Sequence, residues 1–217
     1  MRGSFTFRRS FKPRDMRKYI TEFLGTFFLM LIIFTAGDPL AIGAILMAVV
    51  FAGAHISGAH YNPAVTLAIW IRGRIDAGEA IGYMMVQIAG ALAAMLVYKL
   101  AFLGDSTPAA VTFPNTTALI VAEILGTTVL AYVVLNVATA KGTAANGFYG
   151  LAIGFTVLAC AVAFGKYSGG AFNPAVAIGA ATAGIFEWSD IWMYMLGCFG
   201  GGALAAAIFR ISNPEDR

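Results

Sequence analysis

Six stretches of this chain, at 19–36, 40–56, 80–98, 117–139, 148–165 and 190–209, run almost entirely through apolar and small residues. Each is near the roughly 20 residues that a helix needs to cross the hydrocarbon core of a bilayer. A soluble fold of 217 residues has too little interior to hide them. Apolar residues make up 59% of the chain and charged ones only 12%, where a soluble domain carries about 25% charged. Disorder is excluded by that apolar content, and a disulfide scaffold by the presence of only two cysteines. A transmembrane β-barrel would alternate apolar and polar residues, and these runs are unbroken. The chain therefore reads as an all-α membrane protein with six transmembrane helices.

Two further apolar stretches, 63–71 and 174–183, are too short to span. Each begins at proline directly after asparagine, at Asn62-Pro63 and Asn173-Pro174. Asparagine caps a helix well and proline suits its first position, so both sites are helix starts. They are predicted to be re-entrant half-helices entering from opposite sides. Irregular backbone at membrane depth survives only when buried in protein or lining a watery cavity. A passage near the midplane follows.

Charge placement orients the chain. The first eighteen residues hold Arg2, Arg8, Arg9, Lys12, Arg14, Arg17 and Lys18 against the single acid Asp15. No small-residue cleavage site follows a short apolar core, so this is no signal peptide. Residues 1–18 are expected to be a basic cytoplasmic tail, 19–210 one transmembrane channel domain, and 211–217 a short C-terminal tail. With six spans both termini lie on one side. Placing them inside leaves only Lys99 and Lys166, of fourteen basic residues, outside, as the positive-inside rule requires.

The sequence also repeats itself. Thr21-Glu22-Phe23-Leu24-Gly25-Thr26 matches Ala122-Glu123-Ile124-Leu125-Gly126-Thr127, and the Ser57–Val65 segment matches Ser168–Val176. The halves, about 19–104 and 117–209, each hold three spans, so they must insert with opposite orientation. Such inverted repeats carry transport sites at their interface.

Two Asn-Pro-Ala triplets, 62–64 and 173–175, each behind a Ser-Gly turn and a Glu-x-x-Gly-Thr helix, resemble the aquaporin (major intrinsic protein) family over nearly the whole chain. The resemblance implies a passive channel for water or small uncharged solutes, a homotetramer with one pore per subunit, and an inner-membrane location. Asn62, Pro63, Ala64, Asn173, Pro174 and Ala175 would sit at mid-pore. As N-caps, the asparagine oxygens take backbone N–H groups of the half-helices, which turns each amide NH2 toward the passage as a donor. The two helix dipoles add positive potential against cations and protons there. Backbone carbonyls of 58–61 and 169–172 would supply acceptors along the passage. The intramembrane acids Glu22 and Glu123 would brace the loops; a proton relay is the other reading. His60 would brace the first loop. His55 either lines the cytoplasmic mouth, where it would titrate near neutrality, or packs as an ordinary histidine.

One departure bears on selectivity. Where most of the family has arginine after the second triplet, this chain has Val176. By alignment the other filter positions are Ile42, Ala161 and Gly170. The water-selective members' aromatic residue and histidine are missing, as is the aspartate of glycerol-conducting members, whose place Ala177 takes. The filter is expected to be wide, apolar and uncharged, passing glycerol, urea, arsenite or methylated arsenicals. The Asn-Pro-Ala-Val motif also resembles a bacterial branch linked with arsenic resistance.

Other readings are a strict water channel, an inverted-repeat ion or anion channel, and an intramembrane serine protease built on Ser57 with His60 or His55. No nucleophile turn surrounds Ser57, and Ser168 repeats it without a histidine. Cys160 and Cys198 read as small packing residues. Gly150, Gly154, Gly197 and Gly201 read as close helix contacts, and Trp188 and Trp192 as an interfacial belt. No catalytic residue, metal, cofactor or nucleic-acid partner is implied; the lipid bilayer and small solutes are the expected partners.

Overall fold

A computed structural model describes residues 13–104 and 109–216. Long helices α1 (Pro13–Thr35), α2 (Pro39–Ser57), α4 (Ala77–Val97), α5 (Thr116–Thr139), α6 (Tyr149–Ser168) and α8 (Ile191–Ser212) frame two short ones, α3 (Pro63–Ile71) and α7 (Pro174–Ala183). Among the described residues, six helical stretches are long and apolar enough to cross a membrane. Their outward faces carry exposed Leu40, Met85, Leu100 and Val162, a surface that suits lipid and not water. The chain is a multi-pass membrane protein.

Local sequence explains where the helices begin. Asp38 accepts from the backbone N–H groups of Leu40 and Ala41 at 2.9 and 3.0 Å, and Pro39 follows it. Asp76 accepts from Glu79 and Asn115 from Ala118, each at 2.9 Å. α2 and α6 end in left-handed glycines, Gly58 and Gly169, which turn the chain into the two re-entrant loops.

Several boundaries differ from the sequence reading. α1 starts at Pro13, so the last six residues of the expected tail are helical; nothing between 13 and 18 breaks a helix. Residues 1–12, which hold Arg2, Arg8, Arg9 and Lys12, lie outside the described residues. α4 runs on through a π-helical turn, Tyr98–Phe102. α6 continues to Ser168, three residues past the expected end, because its last turn carries the loop serine. α8 reaches Ser212, and the segment after it is anchored. Asp216 accepts from Arg72 at 2.7 Å, Arg74 at 3.4 Å and the Lys141 backbone N–H at 2.7 Å. Arg72 also lies 4.6 Å over the Phe209 ring.

The halves interlock. α1 packs on α4, α5 on α8, and α2 on α6 across the repeat boundary. The last contact is close: a side-chain carbon at Gly43 would lie 2.7 Å from the Gly154 carbonyl oxygen, so glycine is required there. Each half-helix rests on the last span of the other half, α3 on α8 and α7 on α4. Two apolar cores result, one around α3 and one around α7.

Candidate pore and its supporting loops

The centre of the molecule is built from the two loops that precede α3 and α7. Ala59 and Tyr61 in the first, and Phe172 in the second, have φ of +52°, +51° and +46°. Left-handed backbone at such residues costs about 1–3 kcal/mol each. It persists because a buried carboxylate gathers the loop N–H groups. Glu22 Oε1 accepts from Ser57 Oγ at 2.6 Å and His60 N at 2.9 Å, and its Oε2 from Tyr61 N at 2.7 Å and Gln87 Nε2 at 2.8 Å. Glu123 repeats the pattern with Ser168 Oγ at 2.7 Å, Ala171 N at 3.0 Å, Phe172 N at 2.7 Å and Cys198 Sγ at 3.3 Å. Both acids are 0% exposed. Each oxygen takes two donors, which matches its lone pairs and leaves neither acid lining the cavity.

Three supporting residues, Tyr83, Tyr194 and Gln87, are absent from the sequence reading, and a fourth, Cys198, reads there only as packing. Tyr83 donates to the Ser57 carbonyl at 2.8 Å, and Tyr194 to the Ser168 carbonyl at 2.7 Å. Gln87 and Cys198 supply the fourth donor of each carboxylate, so Cys198 is more than packing. All four obey the spacing of 111 residues that relates the two loops, and extending the repeat comparison into α4 and α8 would have exposed them.

Asn62 and Asn173 cap the half-helices. The Asn62 oxygen accepts from Ala64 N at 2.8 Å and that of Asn173 from Ala175 N at 3.0 Å. Their amide groups do not turn wholly into the passage, however. Asn62 Nδ2 donates to the Phe172 carbonyl at 2.8 Å, and Asn173 Nδ2 donates to the Tyr61 carbonyl at 3.0 Å. One N–H of each amide is thus spent across the repeat interface, and one is left per asparagine. Pro63, Ala64, Pro174 and Ala175 are buried at the two helix starts.

A cavity of about 340 Å³ runs past both asparagines. Ile42, Ala161, Gly170 and Val176 all line it, as do His60, Tyr61 and Phe172. His60, Asn62 and Asn173 give it its polar side-chain atoms, for the Tyr61 hydroxyl points away to the Val49 carbonyl at 2.9 Å. His60 Nδ1 lies 3.1 Å from Thr66 Oγ1, and its ring meets Tyr83 edge-on. Toward the basic end, beyond His60, a vestibule of about 810 Å³ is lined by Lys18, His55, Arg74, Glu79 and Lys141. His55 is exposed in it, away from Asn62 and Asn173 and from Ile42, Ala161, Gly170 and Val176.

No cluster of three potential metal-ligating side chains occurs among the described residues. Ser57 Oγ is committed to Glu22, so nothing pairs it with a histidine as a nucleophile.

The comparisons agree with this fold. The model of the family described as major intrinsic protein matches residues 9–209. The chain is 36% identical over 230 residues to Aquaporin NIP1-4 of Oryza sativa subsp. japonica, covering 98% of this chain and 81% of that protein. It is 38% identical over 217 residues to Glycerol uptake facilitator protein-like 6 of Lactiplantibacillus plantarum, covering 93% of this chain and all (100%) of that protein. The X-ray structure of the aquaglyceroporin from Plasmodium falciparum has the same fold, with a TM-score of 0.76 at 23% identity over 93% of this chain and 98% of that one. With its six apolar spans, paired half-helices and the cavity between them, the chain belongs to the major intrinsic protein family, as a passive channel for water or small solutes and not an enzyme.

Proposed function

We propose that this channel conducts small uncharged solutes, glycerol and urea among them, together with water, and that neutral arsenite is within its range. The observation that carries the reading is the lining at the filter positions. Ile42, Ala161, Gly170 and Val176 present only aliphatic surface or none, with no fixed charge where the family resemblance expects arginine. Such a wall sets neither the narrow aperture nor the positive charge of a strict water filter. Solute hydroxyls find acceptors in the loop carbonyls and donors in the free N–H of each asparagine. The glycerol facilitator among the relatives supports the same solute class.

Cations are opposed at the centre. The N-termini of α3 and α7 meet there, and their dipoles make the midpoint positive. In the membrane, the basic end carrying Arg72, Arg74, Lys141 and Arg210 faces the cytoplasm, with both termini there. The assembly is a homotetramer in a cell membrane, with a pore in each subunit.

Stopped-flow light scattering on proteoliposomes tests the solute class directly. Water, glycerol, urea and arsenite are compared with protein-free vesicles. Faster entry of water and glycerol is expected; water alone would make it a strict water channel.

A further inference from the structure

Two large side chains finish the cavity wall beyond the four filter positions, at the end away from the basic vestibule: Phe34 and Phe186. Neither is free to swing. Phe186 stacks face to face on Tyr194, with centroids 4.7 Å apart and planes 7° apart, and meets Phe113 edge-on at 6.3 Å. Phe34 stacks on Tyr98 at 4.9 Å and 13°. Both are under a tenth exposed.

The backing of Phe186 leads to the pore centre. Tyr194 holds the Ser168 carbonyl, and Ser168 holds Glu123. The residue before the ring is tied as well, since the Ile185 carbonyl accepts from Val111 N at 2.9 Å. A side-chain carbon built on Gly169 would lie 2.7 Å from the Phe186 ring, so the edge of the ring sits close against the backbone next to Gly170. Gly170 offers no side chain and Ala161 only a methyl. Phe34 and Phe186 are the stacked, immobile surfaces in the lining beyond them.

We propose that Phe186, together with Phe34, is the size-determining element of this channel, taking over a role that the small residues at the filter positions leave open. The inference rests on the small-solute reading above. An aromatic wall held by stacking cannot yield to a wide solute as a lone flexible side chain would. It offers no hydrogen-bond donor, so a solute must turn its C–H edge to the rings and its hydroxyls to the backbone carbonyls of 169–171. Linear polyols fit that demand, and their length and bulk set the cut-off. At the other end the repeat-related position is Ile75, which lines the wide vestibule, so the device belongs to one end only.

The test uses the full chain in proteoliposomes with water, glycerol and a linear six-carbon polyol, as wild type, Phe186→Ala, Phe186→Leu, Phe34→Ala and Tyr194→Phe. Phe186→Ala and Phe34→Ala are expected to raise the six-carbon-to-glycerol permeability ratio by about tenfold, in line with what a lost apolar contact is worth in discrimination. Phe186→Leu, the more conservative change, should give a smaller rise and keeps the test open if the alanine variant fails to insert. Tyr194→Phe keeps the stacking surface and loses only the bond to Ser168. Its total flux falls while the ratio stays at the wild-type value. A ratio unchanged in Phe186→Leu and Phe34→Ala, with all fluxes moving together, overturns the inference. A wild type that passes water but excludes glycerol overturns the solute reading itself, and the inference with it, before any variant is compared.

Discussion

Asn62 and Asn173 are bonded reciprocally through the carbonyls that precede them, Asn62 to Phe172 at 2.8 Å and Asn173 to Tyr61 at 3.0 Å. The two halves of the channel are therefore fastened at the point where the passage is most polar. Asn62→Ala and Asn173→Ala each remove a cap worth about 1 kcal/mol and a buried cross-bond of similar net value. The thermal midpoint in detergent should fall in both. The double variant should fall by less than the sum, because either change alone disturbs the shared clasp.

Glu22→Ala strands four buried donors, those of Ser57, His60, Tyr61 and Gln87. An orphaned buried donor costs about 1–3 kcal/mol, and the left-handed turn at Tyr61 loses its restraint. Little folded protein is expected from size-exclusion chromatography. Glu22→Gln keeps one acceptor oxygen fully available and should recover part of the yield. A proton relay at Glu22 would behave differently, leaving the yield intact and removing only proton flux.

Val176→Arg puts a long cation into the cavity beside Gly170. Glycerol permeability should fall by about tenfold, equivalent to about 1.4 kcal/mol of added barrier, while water permeability falls much less. Equal loss of both, or of neither, would remove Val176 from the filter.

Asp216 ties the C-terminal segment to the Lys141 backbone and to Arg72 and Arg74. The Lys141 N–H first, and the Arg72 guanidinium after it, hold its carboxyl below the usual carboxylate range. A depressed folded-state value means that the tie stabilises at neutral pH and weakens only as acid protonates Asp216, below that range. Asp216→Asn should lower the thermal midpoint at pH 7, and the gap from wild type should close in strong acid. A gap that widened as pH fell would contradict this sign.

The fold was legible because its signals are local. Spanning length is read within about 20 contiguous residues, and the Asn-Pro helix starts and each Glu-x-x-Gly-Thr helix within a turn or two. What escaped depends on contacts across more than sixty residues. Gln87 reaches Glu22 and Cys198 reaches Glu123 from helices that look merely apolar. The amide of Asn62 finds a carbonyl 110 positions away, so its division between cap, clasp and pore had no local trace. Phe34 and Phe186 likewise read as ordinary spanning or loop aromatics, since their place at the cavity follows from which helices meet.

The seating of α3 against α8 has a consequence for how the protein is made. A side-chain carbon at Gly202 would lie 2.5 Å from the Ala64 carbonyl oxygen, so the first half-helix is fitted to a helix that is synthesised well after it. Until residues 191–212 have entered the bilayer, α3 lacks its main seat and rests on α4 and α5, and the Asn62 clasp must wait for Phe172. A chain halted after its third span already has Glu22, Tyr83 and Gln87 to hold the first loop, and lacks only the Phe172 carbonyl that takes the Asn62 amide.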